Sequence, residues 1–121
     1  MLTIYGIKNC NTMKKAFDFL ANKGVAHEFF DYKKSVLDVQ TFAQMAQEFG
    51  LDKVINKKGT TYRAFDDAAK AVLTGTDVQA IYEIVKDKQS VLKRPMLIGE
   101  KDGKKIALIG FDESEWAAAL A

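Results

Sequence analysis

Cysteine, histidine and proline each occur once in this chain of 121 residues. A single cysteine, Cys10, excludes an internal disulfide and a cysteine-rich zinc site. A single histidine, His27, removes most His-based metal sites, and no metal is expected. A hydrolase triad would have to use His27, but no partner pattern supports one, so His27 reads as a strand residue. Long apolar runs are missing as well. Segments such as Ile106 to Ile109 fall far short of the ~20 apolar residues that a membrane-spanning helix needs. The N-terminus has no basic stretch ahead of an apolar one, and Lys8 interrupts the first apolar segment. A secretory signal is not expected, and the chain is expected to be cytoplasmic. Net charge is also small, +2 from 18 basic and 16 acidic residues. That gives no basic excess of the kind nucleic-acid proteins concentrate, so neither nucleic acid nor membrane is expected as a partner.

What is present is an ordinary globular balance, 48% hydrophobic and 28% charged, in a length that suits one domain over residues 1–121. Leu2, Thr3, Ile4 and Tyr5 favour a first strand ended by Gly6. Met13, Ala16, Phe17, Leu20 and Ala21 follow the spacing of an amphipathic helix, stopped by Lys23 and Gly24. Met13 and Phe17 read as core. His27 to Tyr32 reads as a second strand, so the first 32 residues predict a βαβ unit with parallel strands. Residues 36–89 differ. Asp38 is placed to cap a helix carrying Val39, Phe42, Ala46 and Phe49, with Leu37 and Phe42 as a hydrophobic staple and Gly50 as its stop. Asn56 to Thr61 reads as a solvated loop, Ala64 to Leu73 as a helix, and Thr76 with Gln79 as a capping box for a third helix through Ile81, Tyr82 and Val85. Three helices with no strand between them make this segment a helical insertion. Strands return at Met96 to Ile98 and Ile106 to Ile109, joined by a hairpin turn at Asp102-Gly103. Asp112 then caps a last helix with Trp116 and Leu120. No internal repeat or low-complexity tract is visible, and a monomer is the simplest expectation.

The narrow catalytic vocabulary leads to Cys10, between the first strand and the first helix. With a helix starting near Asn11, its free N–H groups and positive dipole end favour a thiolate. Lys14 returns to the same helical face, and Lys8 is close in sequence. The other reading is a small buried apolar residue; polar neighbours Asn9, Asn11 and Thr12 argue against it, and the residues alone leave both open. Arg94 reads as a surface charge or an anion clamp, and Pro95 as the first residue of a strand.

Four separated motifs resemble the Spx/arsenate-reductase family, nearest to its small bacterial YffB-type branch: Ile4 to Cys10, Asn56 to Arg63, Lys93-Arg94-Pro95 and Gly110-Phe111. The resemblance runs from Thr3 to Trp116. It implies an α/β, thioredoxin-like (glutaredoxin-like) fold, β-α-β then β-β-α, with the helical segment inserted, and a cis-proline at Pro95 facing a catalytic Cys10. It implies thiolate-stabilising or substrate-positioning roles for Asn9, Asn11, Thr12, Lys14 and Arg94, and anion or glutathione contacts from Lys8, Asn56, Lys57 and Arg63. No bound cofactor is implied; glutathione would be the cosubstrate and, with a glutaredoxin, the partner. Departures matter too. The family's arsenate reductases carry a histidine where Gly6 stands here, and use three arginines, of which only Arg94 matches; Asn56 and Phe111 align with the others. Its transcription regulators carry a second cysteine where Met13 stands. The expected activity is therefore glutathione-dependent thiol oxidoreduction. Glutaredoxin-coupled arsenate reduction, or a non-enzymatic Spx-like module binding a transcription protein, are the alternatives.

Overall fold

The computed structural model describes residues 1–121. In chain order the elements are β1 (Leu2–Gly6), α1 (Asn11–Asn22), β2 (His27–Asp31), α2 (Val39–Phe49), α3 (Leu51–Val54), α4 (Thr60–Ala64), α5 (Asp67–Leu73), α6 (Val78–Val85), a 3-10 turn (Gln89–Val91), β3 (Met96–Lys101), β4 (Lys104–Ile109) and α7 (Glu113–Ala119). They divide into two compact units, Met1–Asp31 with Arg94–Ala121, and Tyr32–Lys93.

The first unit is built on one sheet of order β2-β1-β3-β4. β1 runs parallel to β2 and antiparallel to β3, and β4 folds back antiparallel on β3. This is the β-α-β, β-β-α order of a thioredoxin-like fold. Side chains alternate across a strand, and the register of Ile4 with Leu97 and of Leu97 with Leu108 puts these three on one face. With Leu2 and Ile106 they meet Met13, Ala16, Phe19 and Leu20 of α1 and Trp116 of α7 in a continuous core. α1 ends where the sequence predicts. Gly24 takes φ +64°, and its N–H and that of Val25 close on the carbonyls of Ala21 and Leu20. Asp102 and Gly103 both have positive φ, the two-residue turn that suits a twisted hairpin. At Gly99 any side chain would run into the Met1 carbonyl and the Leu2 backbone, so β1 and β3 can pair closely there only because the residue is glycine.

The second unit is helical, but its divisions differ from those expected. Five helices and a 3-10 turn replace three helices. The chain breaks at Phe65, which is extended, and Asp66 starts α5 afresh by accepting the Ala69 N–H on its carboxylate. The expected loop over Asn56 to Thr61 gives way to α4 from Thr60. The cap of α6 is Asp77, which accepts from Ala80 N–H at 3.1 Å, not Thr76; Gln79 instead pairs with Glu83 along the helix. A carboxylate one residue nearer the helix displaces the hydroxyl. The Asp38 cap forms as expected, accepting Thr41 N–H at 2.7 Å. An isolated bridge joins Ile55 to Leu92.

Gln89 is the buried polar side chain of this unit. Its Nε2 donates to the carbonyls of Tyr32 (2.9 Å) and Ser35 (2.7 Å), and its Oε1 accepts from Leu37 N–H (2.8 Å). The side chain thus fastens the start of the unit to its end. Gln89→Leu keeps most of the volume but strands three backbone groups. Each buried orphan costs about 1–3 kcal/mol, so urea unfolding should show a loss of about 2–4 kcal/mol. A loss below about 1 kcal/mol would mean that the clasp carries little of the stability.

Candidate active site

β1 ends at Gly6, Ile7 is buried beneath the turn, and Lys8 and Asn9 are exposed. Cys10 follows in an extended conformation (φ −146°, ψ 129°) as the cap residue of α1. Its carbonyl accepts the first helical hydrogen bond, from Lys14 N–H at 2.9 Å. The thiol therefore sits where a capping oxygen normally sits, in front of the free amides of the first turn. It makes no capping hydrogen bond of strict geometry, yet the amides act on it at short range. The first turn carries no acidic side chain to compete for those amides.

The sulfur is partly exposed. What desolvation it suffers raises its pKa. The Met13 and Thr12 backbone N–H groups and the Arg94 guanidinium, as both donor and positive charge, outweigh that and hold the thiol below its ordinary value. A partly exposed, electropositive setting of this kind favours the thiolate form of a cysteine.

Arg94 comes from the far end of the first unit's sequence. The Arg94–Pro95 peptide bond is cis, and Pro95 is buried at the start of β3, its carbonyl accepting from Gly110 N–H at 2.8 Å. Tyr5 pairs with Met96 at the end of the β1–β3 register, and the Arg94 side chain, two residues before Met96, acts on the sulfur. Gly6 is also the contact point for Met13. A Cβ on Gly6 would overlap the Met13 Sδ and Cε, and would lie 3.4 Å from the Arg94 Cβ.

The other expected site residues divide. Asn11 and Thr12 are exposed in the first turn, and Thr12 acts through its N–H, not its hydroxyl. Lys14 has another partner. Its ammonium is held by Asp18 at 2.8 Å in an exposed i, i+4 pair, and Arg94 is the side-chain charge that acts on the sulfur. The i, i+4 spacing that relates Lys14 to Cys10 on one side relates it equally to Asp18 on the other, and its ammonium pairs with the Asp18 carboxylate. Asn56, Lys57 and Arg63 belong to the second unit. There Asn56 Oδ1 accepts from Lys58 N–H, Lys57 pairs with Asp52 at 3.1 Å, and Arg63 is exposed in α4. Phe111 packs its ring edge-on to Trp116 (5.0 Å) and Phe19 (5.7 Å). His27 Nδ1 lies 2.9 Å from the Val25 carbonyl and its ring stacks on Phe17, a structural role.

The complementarity of Gly6 and Met13 was not foreseen. A glycine closing a strand and a methionine on a helical face are each unexceptional, and only the β1–α1 turn brings them together.

The family model of the ArsC family matches residues 5–119. A Haemophilus influenzae protein without an assigned function is 40% identical over the full length of both chains. Global transcriptional regulator Spx of Staphylococcus saprophyticus is 22% identical over 95% of this chain and 83% of its own. Among solved structures, a YFFB protein superposes with a TM-score of 0.85 at 38% identity, covering both chains completely. An arsenate reductase (ArsC) related protein from Brucella melitensis gives 0.66 at 36% identity, over 97% of this chain and 92% of that one.

Proposed function

Because the chain belongs to the ArsC family, we propose that it is a thiol oxidoreductase with glutathione as cosubstrate and Cys10 as nucleophile. The observation that carries this reading is the setting of the sulfur, at the N-terminus of α1 and under the charge of Arg94, in a chain with no second cysteine.

The Cys10 thiolate attacks the glutathione sulfur of a mixed disulfide, RS–SG. One S–S bond breaks and one forms, leaving Cys10 joined to glutathione and releasing RS⁻, which takes a proton from water. A glutathione thiolate then attacks the glutathione sulfur bound to Cys10. Oxidised glutathione leaves and the Cys10 thiolate is restored. One disulfide is consumed and one made, so no further redox partner is required; a glutaredoxin can supply the second thiol in place of free glutathione. The amides of Thr12 and Met13 keep Cys10 a good leaving group in the second step, since a lower thiol pKa leaves faster. Arg94 anchors a carboxylate of glutathione by a charge-assisted hydrogen bond.

The test is turnover of a small glutathione mixed disulfide by the parent chain and by Arg94→Leu, with the midpoint of Cys10 alkylation measured alongside. The parent should turn over through a single glutathione adduct on Cys10. Arg94→Leu should raise the alkylation midpoint and weaken kcat/KM by about 10-fold or more, the worth of one hydrogen bond to a charged group. Arsenate with glutaredoxin should give no turnover above buffer. Of the three arginines that the resemblance to arsenate reductases would require, the chain supplies Arg94 alone, and Phe111 is a ring packed on Trp116. Absence of both adduct and turnover in the parent would overturn the proposal.

A further inference from the structure

We propose that Met13, seated on the bare Cα of Gly6, is a positioning residue that sets the line between the Cys10 sulfur and the Arg94 side chain. The inference rests on the reading of Cys10 as the nucleophile and assigns a role to two residues outside the reacting groups.

Three facts converge on one point beside the turn. The Met13 thioether fills the space into which a Gly6 side chain would project, and the Arg94 Cβ lies 3.4 Å from that same position. Met13 is wholly buried, so its side chain cannot swing out to solvent without opening the core it shares with Ile4 and Leu97. Its own N–H is one of the groups that act on the sulfur. One residue therefore presents an amide to Cys10 and packs where the β1 end meets the Arg94 Cβ. Dense packing transmits small displacements. A shift of Met13 away from Gly6 would carry the first turn of α1, and with it the sulfur, relative to Arg94. The charges on the elements around this point are Arg94, Lys8 in the turn, Lys14 paired with Asp18, and Asp31, the β2 partner of Gly6 in the register; none of them belongs to the Gly6–Met13 contact itself.

The experiment compares Gly6→Ala, Met13→Ala, Met13→Leu and the double variant Gly6→Ala/Met13→Ala in the full chain. The readouts are the pH midpoint of Cys10 alkylation by iodoacetamide, without glutathione, and the melting temperature. Gly6→Ala forces Met13 aside and should raise the midpoint by about half a unit or more, because the charged form loses donors. Met13→Ala should raise it as well, and Met13→Leu, which keeps the volume, should leave it near the parent. In the double variant the added methyl takes the vacated space, so at least half of the Gly6→Ala shift should be recovered. Should Gly6→Ala fail to fold, the contrast between Met13→Ala and Met13→Leu decides alone. Melting temperatures that fall while all midpoints stay within ~0.2 unit of the parent would overturn the proposal and leave the pair a packing contact. Failure of glutathione turnover in the parent would defeat the functional reading and leave this measurement in force, since it reads the thiol alone.

Discussion

Cys10→Ser is expected to abolish glutathione-dependent turnover, with a loss of at least about 10³-fold, while the fold stays intact. Removing an enzyme's only nucleophile removes the covalent route, and losses of this order or larger follow when no neighbouring group can take its place. None can here, since the chain holds no other thiol. Serine differs from the thiol chiefly in its acidity, and it suits a helix cap better than cysteine does. Circular dichroism should therefore superimpose on that of the parent, and the variant should melt within a few degrees of it. Turnover within tenfold of the parent, at unchanged fold, would remove Cys10 from the reaction. A second readout tests the thiolate itself. The folded thiol titrates below its ordinary value, so in the window between the folded and unfolded midpoints the unfolded chain binds more protons. The thiol's contribution to stability is then full above the unfolded midpoint near ~8.5 and is lost as pH falls through the folded one. The stability of the parent relative to Cys10→Ser should rise with pH across that window.

Trp116→Ala should produce the largest loss of stability in the first unit. Trp116 is wholly buried, its Nε1 donates to the Gly110 carbonyl at 3.0 Å, and its ring meets Phe111 and Phe19 edge-on. Truncating a buried aromatic of this size costs about 3–5 kcal/mol. At about 4 °C per kcal/mol for a chain of this length, the melting temperature should fall by roughly 12–20 °C. Trp116→Phe restores the ring but not the donor, and should recover more than half of the loss. A fall of less than about 5 °C for Trp116→Ala would mean that α7 detaches without disturbing the sheet.

Legibility in the sequence followed the reach of the interactions involved. α1, its Gly24 stop, the Asp102-Gly103 turn and the Asp38 and Asp112 caps are local devices, written in residues within a few positions of each other, and all were readable. The subdivision of the second unit was less so. Around Asp66 the apolar periodicity runs on past the break at Phe65 and hides it, and at Asp77 two neighbouring capping residues, Thr76 and the carboxylate, compete for the same helix start. Gln89 was invisible for another reason. Its three partners lie 52 to 57 residues away, and an isolated glutamine in a polar stretch announces nothing. In the site, the place of Cys10 could be read from its strand–helix junction. The competition between Arg94 and Lys14 could not, because it turns on whether Asp18 or the sulfur receives the ammonium.

The Gln89 clasp has a consequence for how such a chain can change over generations. Because the side chain ties residues 32, 35 and 37 to residue 89, the helices between leave and return at one fastening. Closing a longer loop adds only about 0.6 kcal/mol for each doubling of its length. Descendants of this sequence can therefore lengthen, shorten or trade helices within that stretch at little cost to closure, so long as the knot holding its two ends survives.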